Sequence, residues 1–187
     1  MNTDINAYKE LGYVVVHDLF TADEIKILKA ETADIFRGKR GAIEGLLTTD
    51  EEMSDEDVLK QYVAIHFPHK LSPIIYNYLF HSRIIDVLTK IISPNVKCMQ
   101  SMLFVKGPGK AGQSWHQDEF YIPTRDQSLT GVWIAIDDAT IENGCLWIIP
   151  GKPKHIMKRV ENNSDEYADV DTVDINPYIG QSIPVEV

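Results

Sequence analysis

Hydrophobic positions divide this chain into two textures. In "LGYVVVHDLF" (11–20) a continuous apolar run predicts a short strand. The spacing then changes to that of a helix, with Ile25, Leu28, Thr32 and Ile35 on one face. Thr21 can cap this helix while Glu24, three residues on, reaches back to the cap; Phe20 and Ile25 stand where a hydrophobic staple would. The helix is predicted to stop near Gly38, and residues 38–57 form a poorly patterned connection. Two more helices follow. Ser72 and Pro73 open the first, in "LSPIIYNYLF"; Ser82 caps the second, "SRIIDVLTKIIS", which Pro94 ends.

From residue 96 onward the runs become β-rich. Residues 96–106, 113–122, 130–140 and 144–150 are four such stretches, separated by Gly, Pro and Asn turns, with "ENG" (142–144) as a turn signal. Helices followed by consecutive strands predict an α+β fold with an antiparallel sheet or barrel. At 187 residues the chain is most simply one domain, and no internal repeat is visible. "GPGKAG" (107–112) fits a dinucleotide-binding fingerprint only in letters: an aromatic strand-like run follows it where a helix would be needed to hold pyrophosphate.

Composition narrows the setting. No apolar stretch is long enough to span a bilayer, and the N-terminus lacks a basic segment followed by an apolar run, so a cytoplasmic protein is expected. Cys98 and Cys145 lie in apolar runs and read as buried free thiols. The net charge of −10 is concentrated in residues 48–57 and 161–174, which hold six acids each and no base. The remaining acids and bases nearly balance, 16 against 18. Such acidic runs read as solvated loops, and neither has the D-x-D-x-D-G pattern of a calcium loop. Nothing in the charge pattern suggests nucleic-acid binding.

The candidate chemistry lies in "SWHQDEFYIP" (114–123). On a strand, His116 and Asp118 would project from one face, roughly 7 Å apart along the backbone, with Gln117 turned away. An imidazole and a carboxylate aimed at a common ion are half of a two-histidine, one-carboxylate face, which leaves positions open on Fe(II) and also suits manganese, cobalt or zinc. On spacing alone, two strand-edge polar side chains bonding to nearby backbone account for the pair more simply.

The wider stretch "QSMLFVK…WHQDEFYIPTRD…LTGVWIAIDDATIENGCLWIIPG" resembles the phytanoyl-CoA dioxygenase family of Fe(II)- and 2-oxoglutarate-dependent oxygenases. "LGYVVVHDLFTADEI" is similar to that family's opening. The resemblance implies a double-stranded β-helix, that is, a cupin-like jelly roll, with N-terminal helices packed on one side. It further implies that His116 and Asp118 are iron ligands and that Trp133 lines the 2-oxoglutarate pocket. Gln100 and Lys106 look like polar pocket residues, with Lys106 suited either to pair with a carboxylate or to snorkel to solvent, and Tyr121 either to face a substrate or to pack. The implied reaction is hydroxylation of a small-molecule C–H bond with dioxygen as co-substrate.

The family's second iron-binding histidine, and the arginine that clamps 2-oxoglutarate, lie late in the fold. The closing "GQSIPVEV" resembles the strand just before them, and neither has a counterpart here. A C-terminally incomplete domain lacking its last strands is therefore expected, one that binds iron weakly and turns over slowly or not at all. His155 stands where Lys152 and Pro153 replace the family's usual residues at a Pro-Gly turn. His66 and His69, in "HFPHK", suit a structural or substrate role better than ligation, and nothing singles out His17 or His81. Two other readings remain: a jelly-roll binding module without catalysis, and a zinc hydrolase using His116, Asp118 and a further histidine.

Overall fold

The computed structural model describes residues 5–41, 43, 50, 52–60, 64–151, 159–161, 171–173, 175 and 177–187. Its contacts gather into two compact units, one of residues 18–110 and the other of residues 1–17 with 111–187.

In residues 18–110 the anchor is α2 (Ala22–Phe36). Thr21, in extended conformation, donates its N–H to Glu24 Oε2 at 2.8 Å and accepts the Glu24 N–H at 3.3 Å, so the capping box forms as the sequence predicts. Leu28, Thr32, Ala33, Ile35 and Phe36 are buried, and each large aliphatic or aromatic side chain among them contributes about 1.5–3 kcal/mol. Gly38 takes φ +76°, the left-handed turn that ends the helix where expected.

The stretch after it carries a helix that patterning missed, α3 (Asp55–Leu59), capped by Ser54. Five residues give too short a period to read, yet Val58 is fully buried and α3 packs on α2. Strand β1 (Ala64–His66) leads through a 3-10 turn at Pro68–Lys70 into α4 (Pro73–Leu79), capped by Ser72 as predicted. The next helix, α5 (Ser82–Ile91), starts one residue earlier than expected. His81, not Ser82, is its cap, and Nδ1 accepts the Arg83 N–H at 3.3 Å. Packing decides this: the His81 ring lies 5.1 Å from Phe20 and 5.8 Å from Tyr78. Of the run 96–106 only β2 (Met102–Phe104) enters a ladder, antiparallel to β1 with Ile65 opposite Leu103. Cys98 is exposed, against expectation, because it precedes that ladder.

In the other unit the N-terminus forms an unforeseen helix, α1 (Ile5–Leu11). Gly12 follows at φ +83°, and residues 13–16 join no ladder, so the predicted strand at 11–20 is not observed. Tyr8 bonds Thr130 across their hydroxyls at 3.0 Å, and the Gly151 N–H donates to the Leu11 carbonyl at 2.7 Å. Residues 113–122 and 130–140, expected as strands, lie outside the ladders, apart from the short helical turn α6 (Asp118–Tyr121).

β3 (Leu146–Ile148) pairs antiparallel with β6 (Ile183–Val185), and Ala139 and Val187 exchange both backbone bonds beside them. β4 (Arg159–Glu161) pairs with β5 (Asp171–Val173), also antiparallel. Residues 141–144 form the predicted turn, with Gly144 at φ +95°, and Cys145 beyond it is buried as expected. The mixed α and antiparallel β character thus matches the sequence. Among the described residues no helix is long and apolar enough to cross a membrane.

Candidate metal centre

His116 and Asp118 do meet, but by a different backbone from the strand predicted. Asp118 opens α6, and Gln117 before it is extended at φ −118°, ψ 124°. That corner brings His116 Nε2 within 3.3 Å of Asp118 Oδ1.

The other ring nitrogen is fixed by the chain itself. Nδ1 lies 2.6 Å from the Ser114 carbonyl, which can only accept, so Nδ1 carries the proton and donates. Ser114 is itself buried, at 2% exposure. A neutral imidazole in this tautomer presents its Nε2 lone pair to a carboxylate oxygen. Two acceptors at that distance are reconciled by one positive charge between them, either a proton on Nε2 or a metal cation. A backbone carbonyl that orients the far nitrogen is also the usual support for a metal-binding histidine. Asp118 responds to the same arrangement: its hydrogen bond with His116 holds its carboxyl below the usual range, outweighing the opposing effect of desolvation.

Two neighbours shape the space around the pair. The Tyr121 ring stands edge-on to His116 at 6.1 Å, and is half exposed. Gly131 approaches Asp118 so closely that a Cβ there would lie 3.4 Å from Oδ2. The Ser114 carbonyl and the Gly131 backbone are contributions that no side-chain pattern in the sequence reveals.

The remaining predicted residues are less gathered. Trp133 is 47% exposed and outside any ladder. Gln100 is half-buried, with its side-chain amide 3.9 Å from the Met102 sulfur, and Lys106 is exposed. Both belong to the unit of residues 18–110, whereas Trp133, His116, Asp118 and Tyr121 belong to the other. His155, Lys152 and Pro153 lie outside the described residues. Among the described residues no group of three or more His, Cys, Asp and Glu side chains is placed to share a metal ion.

An imidazole and a carboxylate are side-chain types that a non-haem iron face uses, and here the imidazole is already oriented. Comparison with known proteins supplies the context: residues 8–187 match the phytanoyl-CoA dioxygenase (PhyH) family. The chain belongs to this family.

Among its relatives, phytanoyl-CoA dioxygenase 1 of Oryza sativa subsp. japonica is 28% identical over 177 residues, covering 79% of this chain and 63% of that protein. A Stutzerimonas stutzeri protein named probable alpha-ketoglutarate-dependent hypophosphite dioxygenase is 27% identical over 148 residues, covering 79% of this chain and 51% of its own. Phytanoyl-CoA dioxygenase domain-containing protein 1 of Danio rerio is 35% identical over 88 residues, covering 46% and 30%. The chain thus spans less than two thirds of the rice protein and about half of the bacterial one.

Proposed function

We propose that this PhyH-family chain carries two ligands of an Fe(II) site in a 2-oxoglutarate-dependent dioxygenase. The observation that carries the reading is the His116 tautomer: with Nδ1 committed to the Ser114 carbonyl, Nε2 is left to share a cation with Asp118. An iron held there with 2-oxoglutarate supplies dioxygen activation for hydroxylating a small-molecule C–H bond, with release of succinate and carbon dioxide.

Each protein group has a part in this proposal. His116 and Asp118 bind, Ser114 orients, and the Tyr121 ring borders the substrate side. Trp133 offers an exposed ring to 2-oxoglutarate. Among the described residues no further His, Cys, Asp or Glu side chain joins the pair to share an ion. A cupin-like jelly roll, a single domain over 1–187 and a cytoplasmic location complete the reading.

An anaerobic Fe(II) titration in the presence of 2-oxoglutarate tests it. Binding by the wild-type chain that is lost in both His116→Ala and Asp118→Asn supports the assignment; binding that survives in both overturns it. The lack of a third ligand group among the described residues favours one rival, a binding module without catalysis, which would be stabilised by 2-oxoglutarate with no metal present.

A further inference from the structure

Glu119 follows Asp118 directly on α6, and its carboxylate is the hub of the loop that comes next. One oxygen, Oε1, accepts the Thr124 backbone N–H and, at 2.6 Å, the Thr124 hydroxyl. The other, Oε2, accepts the Leu129 N–H at 3.0 Å. Thr124 passes the order onward, its hydroxyl oxygen accepting from the Ser128 N–H at 2.9 Å. Gln127, inside the loop, sits at φ +50°, a left-handed conformation that a glutamine adopts only when its surroundings enforce it.

The two ends of this loop are the two neighbours of the candidate ligands. Two residues after Glu119 comes Tyr121, whose ring stands against His116. Two residues after Leu129 comes Gly131, whose Cα faces the Asp118 carboxylate. A single side chain therefore fixes the span between the group beside one ligand and the group beside the other.

We infer that Glu119 is a positioning residue. Its carboxylate holds residues 122–130 closed so that the Tyr121 ring and the Gly131 backbone bracket the His116–Asp118 pair, which sets the room beside Asp118 for a ligand. The inference deepens the metal reading and rests on it for what the bracket encloses. Both carboxylate oxygens are needed as acceptors. A glutamine in the same place would set an N–H against either the Leu129 N–H or the Thr124 donors, whichever way its amide turned.

The test uses the full 187-residue chain, comparing wild type with Glu119→Gln and with Thr124→Ser, which keeps every donor. Metal-free chain is followed first, by amide exchange at Leu129 and by the NMR signals of the Gly131 amide and the His116 ring. Mn(II) affinity is measured second. In Glu119→Gln, Leu129 exchange should rise at least about tenfold, the Gly131 and His116 signals should move, and signals from residues 18–110 should stay. Mn(II) binding should weaken about tenfold or more, the usual effect of losing a supporting contact around a metal site. Thr124→Ser should match wild type throughout.

Release of Leu129 with the Gly131 and His116 signals unmoved would overturn the inference. Displacement of both signals in Glu119→Gln, where even the wild type binds no Mn(II), would sustain the positioning role and sink the metal reading. Should Glu119→Gln fail to fold, Thr124→Val deletes only the hydroxyl bonds. It should then shift Gly131 and His116 by less, and no shift at either would overturn the inference.

Discussion

The Glu31 carboxylate meets the Arg40 guanidinium through two parallel bonds, Nε to Oε1 at 2.8 Å and Nη2 to Oε2 at 2.6 Å. Glu31 is only 2% exposed, and the Ser72 hydroxyl donates to it as well. Since Ser72 Oγ also accepts the Ile75 N–H at 3.1 Å, one buried acid joins the end of α2 to the start of α4.

This arrangement makes part of the stability depend on acid. The bonds from Arg40 hold the Glu31 carboxyl below its usual range, against the opposing effect of burial and with help from Ser72. A lowered value in the folded state means the unfolded chain takes up the proton more readily. The contribution is therefore full above the ordinary pKa of 4.5 and fades as pH falls through the lower folded value. Glu31→Gln should cost about 1–3 kcal/mol at pH 7 by removing the two-bonded carboxylate from Arg40, which keeps only Asp34 Oδ2 at 3.0 Å. Urea midpoints at pH 7 and pH 3 should show the gap between wild type and Glu31→Gln narrowing in acid; a gap independent of pH would contradict this account.

Phe67 gives a second prediction. It sits at φ +56°, ψ +41°, a region bulky residues avoid, held by its N–H on the Ser101 carbonyl at 2.8 Å. Glycine adopts this conformation freely, whereas alanine bears a cost of about 1 kcal/mol there. Thermal unfolding should therefore rank Phe67→Gly above Phe67→Ala, the reverse of the order in a helix. The opposite ranking would mean the backbone relaxes out of the left-handed region.

At Gly131 the constraint is space. A Cβ 3.4 Å from Asp118 Oδ2 is just tolerable, so Gly131→Ala should keep metal binding close to wild type. The extra methyls of Gly131→Val would push the carboxylate aside, and Mn(II) affinity should drop about tenfold with the melting temperature little changed. Equal affinities for wild type and the valine variant would show that Asp118 does not need this approach.

The α2 cap offers a simpler check. Thr21→Ala removes the acceptor for the Glu24 N–H, and chemical denaturation should show a loss of about 1 kcal/mol. Thr21→Ser, which keeps the hydroxyl, should restore most of it.

What the sequence made legible has a short reach along the chain. The Thr21–Glu24 box, the Ser72 cap with Pro73 and the stop at Gly38 involve partners within four residues, so the residues themselves determine them. The same holds for the H-x-D tripeptide, though the strand expected there is a corner opening a helical turn. Apolar run length misled where a ladder was required: a strand exists only where a second segment supplies its hydrogen bonds, and for β3 that segment lies 37 residues on, with Leu146 opposite Val185. The run at 11–20 and those at 113–122 and 130–140 are apolar enough for strands yet form no strand among the described residues, apart from the single Ala139–Val187 pair. The chemical residue types, His116 and Asp118, were therefore fixed by the sequence. Their tautomer and surroundings were settled by tertiary structure, through the Ser114 carbonyl, the Gly131 backbone and the Glu119 carboxylate, because these depend on where folded backbone brings an acceptor, and no local pattern encodes that.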